Sequence, residues 1–97
     1  MPFQFEWDKN KAASNRRKHK VSLEEAVSVF RDPLACIFDD KWHSQEEREI
    51  IIGHSANNRL LLVCFVERYG TTRIINARQT TKKERDDYEE YASFRNL

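Results

Sequence analysis

An uninterrupted apolar run, Leu60 to Val66, lies in the second half of the chain between two other strand-like segments. β-branched and aromatic runs of this length, bounded by turn residues, are typical of neighbouring strands in one sheet. The predicted strands are roughly Arg48–His54, Leu60–Arg68 and Thr72–Gln79. The turns between them, at Ala56–Arg59 and around Gly70, are short and predict an antiparallel meander. Because the middle strand is apolar at both alternating positions, it must be covered on both faces.

The rest of the chain carries signals for helices and two short strands. Asp8 can cap a helix that runs to about His19, because its carboxylate can accept the free N–H groups of the first turn. Ser22 and Glu25 form a capping box for a second helix, and Thr81 begins the same pattern for a last helix. The two further strands are predicted at Phe3–Trp7 and Leu34–Phe38. The order β-α-α-β-β-β-β-α, with helices packed on a mainly antiparallel sheet, is an α+β fold.

The composition favours a compact protein with one core. The chain has 97 residues, of which 39% are hydrophobic, with two glycines and two prolines. This length predicts a single domain over residues 1–97. No apolar stretch approaches the ~20 residues that cross a bilayer, and the first residues lack the pattern of a signal peptide. Cys36 and Cys64 lie in apolar segments, so we expect buried free thiols of a cytoplasmic protein.

The charges are unevenly distributed along the chain. The formal net charge is only +1, which by itself predicts no binding of nucleic acid. Residues 9–20, however, contain lysine, arginine and histidine with no acid, whereas residues 84–90 are mostly acidic. A near-neutral total can therefore hide one basic face and one acidic face.

Arginines lie at or near the ends of the predicted strands: Arg48, Arg68, Arg73 and Arg78. The planar guanidinium group suits phosphate, because it makes two parallel charge-assisted hydrogen bonds. A single strand-end arginine is usually a solvated charge, but this set favours an anion-binding face. Residues 78–83, which include Lys82 and Lys83, predict a phosphate site where the last helix begins. Arg73 and Arg78 are five apart, so they point to opposite faces unless a bulge intervenes.

Histidine and cysteine residues are scattered, without the spacing that a zinc site requires. Two isolated glycines cannot form a phosphate-binding loop. We therefore expect neither a metal nor a cofactor. His43, beside Trp42 in a polar loop predicted over Asp39–Glu47, and His54 could exchange protons near neutral pH. A lone histidine at a strand end is more often structural.

Several blocks of the sequence resemble the BrnT toxin family. In the first half these blocks are Phe5-Glu6-Trp7-Asp8, Lys11, Asn15, Lys18-His19 and Val21 to Ala26. In the second half they are Glu47-Arg48, Arg73 to Arg78 and Glu84 to Tyr88. The resemblance extends from about Phe5 to Glu90. Two positions depart from the family pattern: Lys20 replaces the usual glycine, which affects a helix C-cap, and Asn76 replaces the usual serine, which places a larger amide beside Arg78.

The resemblance implies a RelE-like ribonuclease fold and the toxin half of a type II toxin–antitoxin system. The implied partner is a BrnA-like antitoxin with a ribbon-helix-helix DNA-binding domain. Toxin and antitoxin would form a hetero-oligomer, in which operator DNA is bound only through the antitoxin. The implied activity is cleavage of RNA that arrests translation, with no membrane partner.

Metal-free RNA cleavage needs a base for the 2′-OH proton, an acid for the leaving 5′ oxygen, and cations around the phosphorane. The catalytic candidates are Arg73, Arg78, His54 and Glu67. The substrate-binding candidates are Arg48, Arg68, Lys82, Lys83, Lys18 and His19, of which the histidine could also transfer protons. Two other function classes stay open: a non-enzymatic nucleic-acid-binding module that uses Lys9–Lys20, and a protein-interaction domain that uses the acidic last helix.

Overall fold

The structure, a computed structural model, describes residues 4–39 and 48–95 of the chain. The strands are β1 (Gln4–Glu6), β2 (Cys36–Asp39), β3 (Arg48–His54), β4 (Leu60–Arg68) and β5 (Thr71–Gln79). The helical segments are α1 (Lys9–His19), α2 (Leu23–Ser28), a 3₁₀ turn (Val29–Arg31) and α3 (Lys82–Arg95). This order confirms the predicted α+β fold. No helix in the described part of the chain has the length and apolar character that a bilayer crossing requires.

The strands form one five-stranded sheet in the order β1-β5-β4-β3-β2. The last three strands form the predicted antiparallel meander, β2 pairs with β3 in antiparallel orientation, and β1 adds in parallel to the outer edge of β5. β3 and β4 have the predicted bounds. β2 begins at Cys36 rather than Leu34, because Asp32 accepts the backbone N–H groups of Leu34 and Ala35 and holds both residues in a turn. Of the polar loop predicted over Asp39–Glu47, Asp39 is instead the last residue of β2, and the rest, with Trp42 and His43, lies outside the described residues.

β4 is buried on both faces from Leu60 to Val66, as its sequence predicted. One face of the sheet, here called the α1–α2 face, packs against the first two helices. Its core includes Leu23, Leu61, Val63, Phe65 and Ile74. The other face, here called the α3 face, packs in part against the last helix. Its core is Cys36, Ile52, Leu60, Leu62 and Tyr88. Burying large apolar side chains contributes about 1.5–3 kcal/mol each, so these two layers supply most of the stability. Cys36 and Cys64 are both buried, as expected.

α1 offers little apolar surface and depends on its caps. Asp8 accepts the N–H groups of Asn10 at 2.7 Å and Lys11 at 3.3 Å, which confirms the predicted N-cap. These hydrogen bonds lower the pKa of Asp8. At the other end, Lys20 has a φ of 60°, in the left-handed region that favours glycine. Its N–H group still closes the helix on the carbonyl of Arg16 at 3.0 Å.

Replacing Lys20 with glycine is expected to stabilise the protein by about 1 kcal/mol, because glycine adopts the left-handed conformation without strain. For a domain of this size, the midpoint of thermal unfolding should rise by about 4–8 °C. The matched control is Arg17→Gly, which places glycine inside the same helix and should lower the midpoint. If the midpoint falls in both variants, contacts of the Lys20 side chain stabilise the protein by more than its left-handed backbone conformation destabilises it.

The first turn of α2 departs from the predicted capping box. Ser22 accepts the Glu25 N–H at 3.1 Å, which is the expected half of the box. The carboxylate of Glu25 turns away from the helix start and accepts hydrogen bonds from Ser55 at 2.7 Å and from Arg59 Nε at 2.9 Å. The guanidinium group of Arg59 holds the pKa of Glu25 below its ordinary value. The long-range ion pair therefore replaces the local cap and ties the β3–β4 hairpin to α2.

Candidate functional site

A β-bulge in β5 decides where the predicted arginines point. The pairing of β5 with β4 skips Ile75, since Phe65 pairs with Ile74 and Cys64 pairs with Asn76. Ile75 is therefore an extra residue in β5, and the alternation of side chains shifts by one at this position.

The bulge places Arg73 and Arg78 on the same face of the sheet. They lie opposite Val66 and Leu62 of β4, and residues that are directly opposite in antiparallel strands share a face. Arg48 also lies opposite Val66, on β3, and Arg68 occupies an equivalent alternating position on β4. The part of the α3 face that carries these side chains is here called the arginine face. Its members are Arg48, Arg68, Arg73 and Arg78.

A groove with a volume of about 450 Å³ runs between α1 and the outer edge of β5. β1 pairs with this edge as far as Arg73, and α1 packs beside the part of β5 that follows. The groove, here called the α1–β5 groove, is lined by Lys11, Ser14, Asn15, Lys18, His19, Arg48, Ile75, Asn76 and Arg78. It brings together four of the predicted site residues from distant parts of the sequence: Lys18, His19, Arg48 and Arg78.

Asn15 holds the two walls of the groove together. Only 5% of its surface is exposed. Its Nδ2 donates to the carbonyls of Val21 and Ala77, each at 2.9 Å, and its Oδ1 accepts the Ala77 N–H at 3.0 Å. The side-chain amide thus pairs with both backbone groups of Ala77, as a neighbouring strand would. No role for Asn15 was predicted from the sequence, although an asparagine inside a helix, where this residue is disfavoured, is a signal of such a role.

Arg78 is held by Glu84 in a two-pronged ion pair at one end of the groove. Nη1 and Nη2 each donate to one carboxylate oxygen at 2.8 Å, and Nη1 also donates to the Gln79 carbonyl at 3.2 Å. The hydrogen bonds to Glu84 raise the pKa of Arg78, and the same bonds lower the pKa of Glu84 to about 2. The guanidinium plane is therefore fixed before any substrate binds.

Glu84 also caps its own helix. Its carboxylate accepts the Thr81 N–H at 2.8 Å and the Thr81 hydroxyl accepts the Glu84 N–H at 3.2 Å, which confirms the predicted capping box. A carboxylate of the protein itself thus occupies the position where the sequence predicted a bound phosphate. Lys82 and Lys83, which follow Thr81, are exposed and form i,i+4 ion pairs with acids of the same helix, and neither is among the described residues that line the groove. The pairs are Lys82–Asp86 at 3.4 Å and Lys83–Asp87 at 3.3 Å.

His54 belongs to a separate polar cluster at the end of β3. Its Nδ1 is 3.2 Å from the Tyr88 hydroxyl and 3.6 Å from Asp32 Oδ2, and Tyr88 donates to that same oxygen at 2.8 Å. Burial acts to raise the pKa of Asp32, but hydrogen bonds from the His54 and Leu34 backbone and from Tyr88 keep it below its ordinary value. Burial and the bond to Asp32 raise the pKa of Tyr88. The cluster anchors α3 to β3. Asp32 and Tyr88 were not predicted from the sequence as partners of His54.

Two further predicted catalytic residues lie away from the groove. Arg73 Nη1 is 3.5 Å from a carboxylate oxygen of Glu6 on β1. Glu67 accepts a hydrogen bond from the Thr72 hydroxyl and lies directly opposite it, on the α1–α2 face rather than the arginine face. Of the predicted catalytic residues, Arg78 is therefore the one that lines the groove. Within residues 4–39 and 48–95, no three His, Cys, Asp or Glu side chains come together in a way that could hold a metal ion.

The model of one protein family, described as the ribonuclease toxin BrnT of type II toxin–antitoxin systems, matches residues 7–84. The chain belongs to this BrnT family. The matched region contains every residue that lines the α1–β5 groove and ends at Glu84, the partner of Arg78.

A solved structure supports the fold. The crystal structure of the ribonuclease toxin BrnT from Brucella abortus is similar to this chain, with a TM-score of 0.67 and 19% sequence identity. The alignment covers 84% of this chain and all of the Brucella chain. At this identity, the similarity shows a shared fold. No curated protein sequence matches the chain.

Proposed function

We propose that this BrnT-family chain is a metal-independent endoribonuclease that binds the cleaved phosphate of RNA in the α1–β5 groove. The observation that carries the proposal is the convergence in one groove of Lys18 and His19 from α1, Arg48 from β3 and Arg78 from β5. Such a group can neutralise a phosphate and transfer a proton at the same place. Membership of a family of ribonuclease toxins supports RNA as the substrate.

The proposed chemistry is attack of a 2′-OH on the adjacent phosphate, with departure of the 5′ oxygen. Arg48 and Arg78 stabilise the charge that develops on the phosphate oxygens, and Lys18 holds the RNA backbone. His19 exchanges protons with the reacting oxygens, because imidazole suits acid–base work near neutral pH. His19 is a better candidate for this role than His54 and Glu67, since the last two lie away from the groove. Arg68 and Arg73 extend the binding surface along the arginine face.

Arg78 can bind phosphate without breaking its ion pair with Glu84. An arginine side chain has five N–H groups. Within the described part of the chain, Glu84 and Gln79 accept three of them, so Nε–H and one Nη2–H group remain for phosphate oxygens. Because the guanidinium plane is already fixed, little side-chain entropy is lost when a phosphate binds.

RNA cleavage by the purified chain is expected to persist in EDTA, because the proposed chemistry uses side chains alone. The measurement is the rate of cleavage of a labelled RNA with and without EDTA, by gel electrophoresis. An Arg78→Ala protein, purified in parallel, measures any contaminating nuclease. Loss of cleavage in EDTA, with recovery on adding magnesium or zinc, would contradict metal independence.

We further propose that the chain acts as the toxin of a type II toxin–antitoxin system. The chain acts in the cytoplasm, where RNA cleavage arrests translation, and a BrnA-like antitoxin with a ribbon-helix-helix domain neutralises it. The test is expression of the chain in bacteria, alone and with its antitoxin. We expect growth arrest and RNA fragmentation from the chain alone and recovery with the antitoxin. Binding of RNA without fragmentation would favour a non-enzymatic nucleic-acid-binding module instead.

A further inference from the structure

The hairpin between β4 and β5 has an aromatic residue at its tip that the fold does not use. Arg68 pairs with Thr71, so the loop consists of Tyr69 and Gly70. The Tyr69 side chain is fully exposed. Its φ is 52° and that of Gly70 is 81°, so both loop residues are left-handed.

This conformation is unfavourable for tyrosine. Two-residue hairpin loops with two positive φ values strongly prefer asparagine, aspartate or glycine, because these residues tolerate the left-handed region. A bulky side chain there is an outlier, and such strain is characteristic of functional positions. Since Tyr69 is fully exposed, it contributes no burial that would offset the strain. Folding alone does not explain a tyrosine at this position.

The position of Tyr69 relative to the arginine face indicates which kind of ligand its ring binds. Along the sheet, Arg78 lies level with Leu62 of β4, Arg48 and Arg73 lie level with Val66, and Tyr69 follows directly after Arg68. From Leu62 to Tyr69 the distance is roughly 23 Å at about 3.3 Å per residue, which is the length of a few nucleotides. A row of guanidinium groups that ends in an exposed aromatic ring matches the general pattern of single-stranded nucleic-acid binding, in which cations follow the backbone and aromatic rings stack on bases.

We infer that Tyr69 is a stacking platform for an unpaired RNA base that flanks the cleaved phosphate. The phosphate lies in the α1–β5 groove, the RNA backbone runs along the arginine face, and one base stacks on the Tyr69 ring. This inference rests on the proposed function and adds a substrate-positioning residue outside the groove. Such stacking requires single-stranded RNA, because a base within a duplex has no free face.

The experiment measures binding and stability in the same variants. Tyr69→Asn removes the ring and relieves the strain, whereas Tyr69→Phe keeps the ring and the strain. The probe is a fluorescein-labelled single-stranded oligoribonucleotide with 2′-O-methyl riboses, which cannot be cleaved by attack of a 2′-OH. Its dissociation constant is measured by anisotropy, and KM and kcat are measured on the unmodified RNA. A series of probes, each with one abasic position, locates the base that stacks.

We expect Tyr69→Asn to raise the midpoint of thermal unfolding while weakening RNA binding by roughly 5- to 150-fold. KM should rise with kcat unchanged, and Tyr69→Phe should bind RNA as the wild type does. One abasic position should weaken wild-type binding but not the binding of Tyr69→Asn. A merely structural role would not produce higher stability together with weaker binding.

Three results would overturn the inference and can be told apart. If the wild-type chain cleaves RNA and Tyr69→Asn binds the probe equally well, Tyr69 is not a stacking platform, although the proposed function stands. A weaker complex between Tyr69→Asn and the antitoxin, with unchanged RNA binding, would identify a protein contact instead and would also overturn the inference. If the wild-type chain neither binds nor cleaves RNA, the proposed function itself fails.

Discussion

Replacing Arg78 with alanine is expected to lower the rate of RNA cleavage by about 10²–10³-fold. Removing one preoriented donor that stabilises transition-state charge typically costs about 3–4 kcal/mol. Arg78 fits this role because Glu84 fixes its guanidinium plane and because its side chain lines the α1–β5 groove. The measurement is kcat and KM on a short single-stranded RNA. A folded Arg78→Ala protein with full activity would remove this residue from the site.

The matched control is Glu84→Gln, which breaks the same ion pair from its other side. Both variants lose the pair, but only Arg78→Ala loses the cation. We therefore expect Glu84→Gln to unfold at a lower temperature while keeping cleavage within about tenfold of the wild type, since a freely rotating Arg78 still reaches phosphate. If both variants lost activity equally, the ion pair rather than the guanidinium charge would be the functional element.

The same pair predicts a pH dependence of stability. The pKa of Glu84 is about 2 in the folded protein, below the usual value of 4.5. A carboxylate with a depressed pKa stabilises the folded state above its unfolded pKa, and this contribution is lost as the pH falls through the folded pKa. The difference in unfolding free energy between wild type and Arg78→Ala, at most roughly 3 kcal/mol, should therefore shrink between pH 4.5 and pH 2. Denaturant unfolding at several pH values measures this difference.

The strands and the helix starts were predicted from local sequence patterns. The positions at which the structure differs from these predictions are set by contacts between residues that are distant in the sequence. The bounds of β3 and β4 were predicted because their apolar runs are long and end at turn residues. The N-caps at Asp8 and Thr81 were predicted because they use neighbouring backbone groups. The bulge at Ile75 has no sequence signature such as a glycine, so the common face of the arginines could not be predicted.

In the candidate site, too, local sequence patterns predicted some single side chains but not their partners. Charge pattern singled out Arg48 and Arg78, which line the groove, because arginines recur at strand ends, but it did not single out Lys11, which lines the groove as well. It could not predict which carboxylate each arginine meets, since Arg59 finds Glu25 across 34 positions and Arg78 finds Glu84 only after the chain turns into α3. Nor could it show that His54 is held by Asp32 and Tyr88. Such partners are set by the packing of the helices on the sheet.

Asn15→Ala is expected to cause the largest loss of stability among the groove residues. The substitution removes three buried hydrogen bonds and leaves the Ala77 N–H group and the carbonyls of Ala77 and Val21 without their partner. An unsatisfied buried polar group costs about 1–3 kcal/mol, and partial relaxation lets some of these groups find water, so we expect a total of roughly 3–4 kcal/mol. This is a large fraction of the 5–15 kcal/mol that stabilises a typical domain.

The matched control is Ser14→Ala at the neighbouring position, which tests whether any change to a groove residue destabilises the protein. Ser14 lines the same groove but is only partly buried, so its loss should change the unfolding free energy by less than about 0.5 kcal/mol. For Asn15→Ala, the midpoint of thermal unfolding should fall by about 12–30 °C. Cleavage at low temperature should fall as well, because Asn15 holds α1, with Lys18 and His19, against β5. A normal midpoint for Asn15→Ala would mean that α1 is held in place by other contacts.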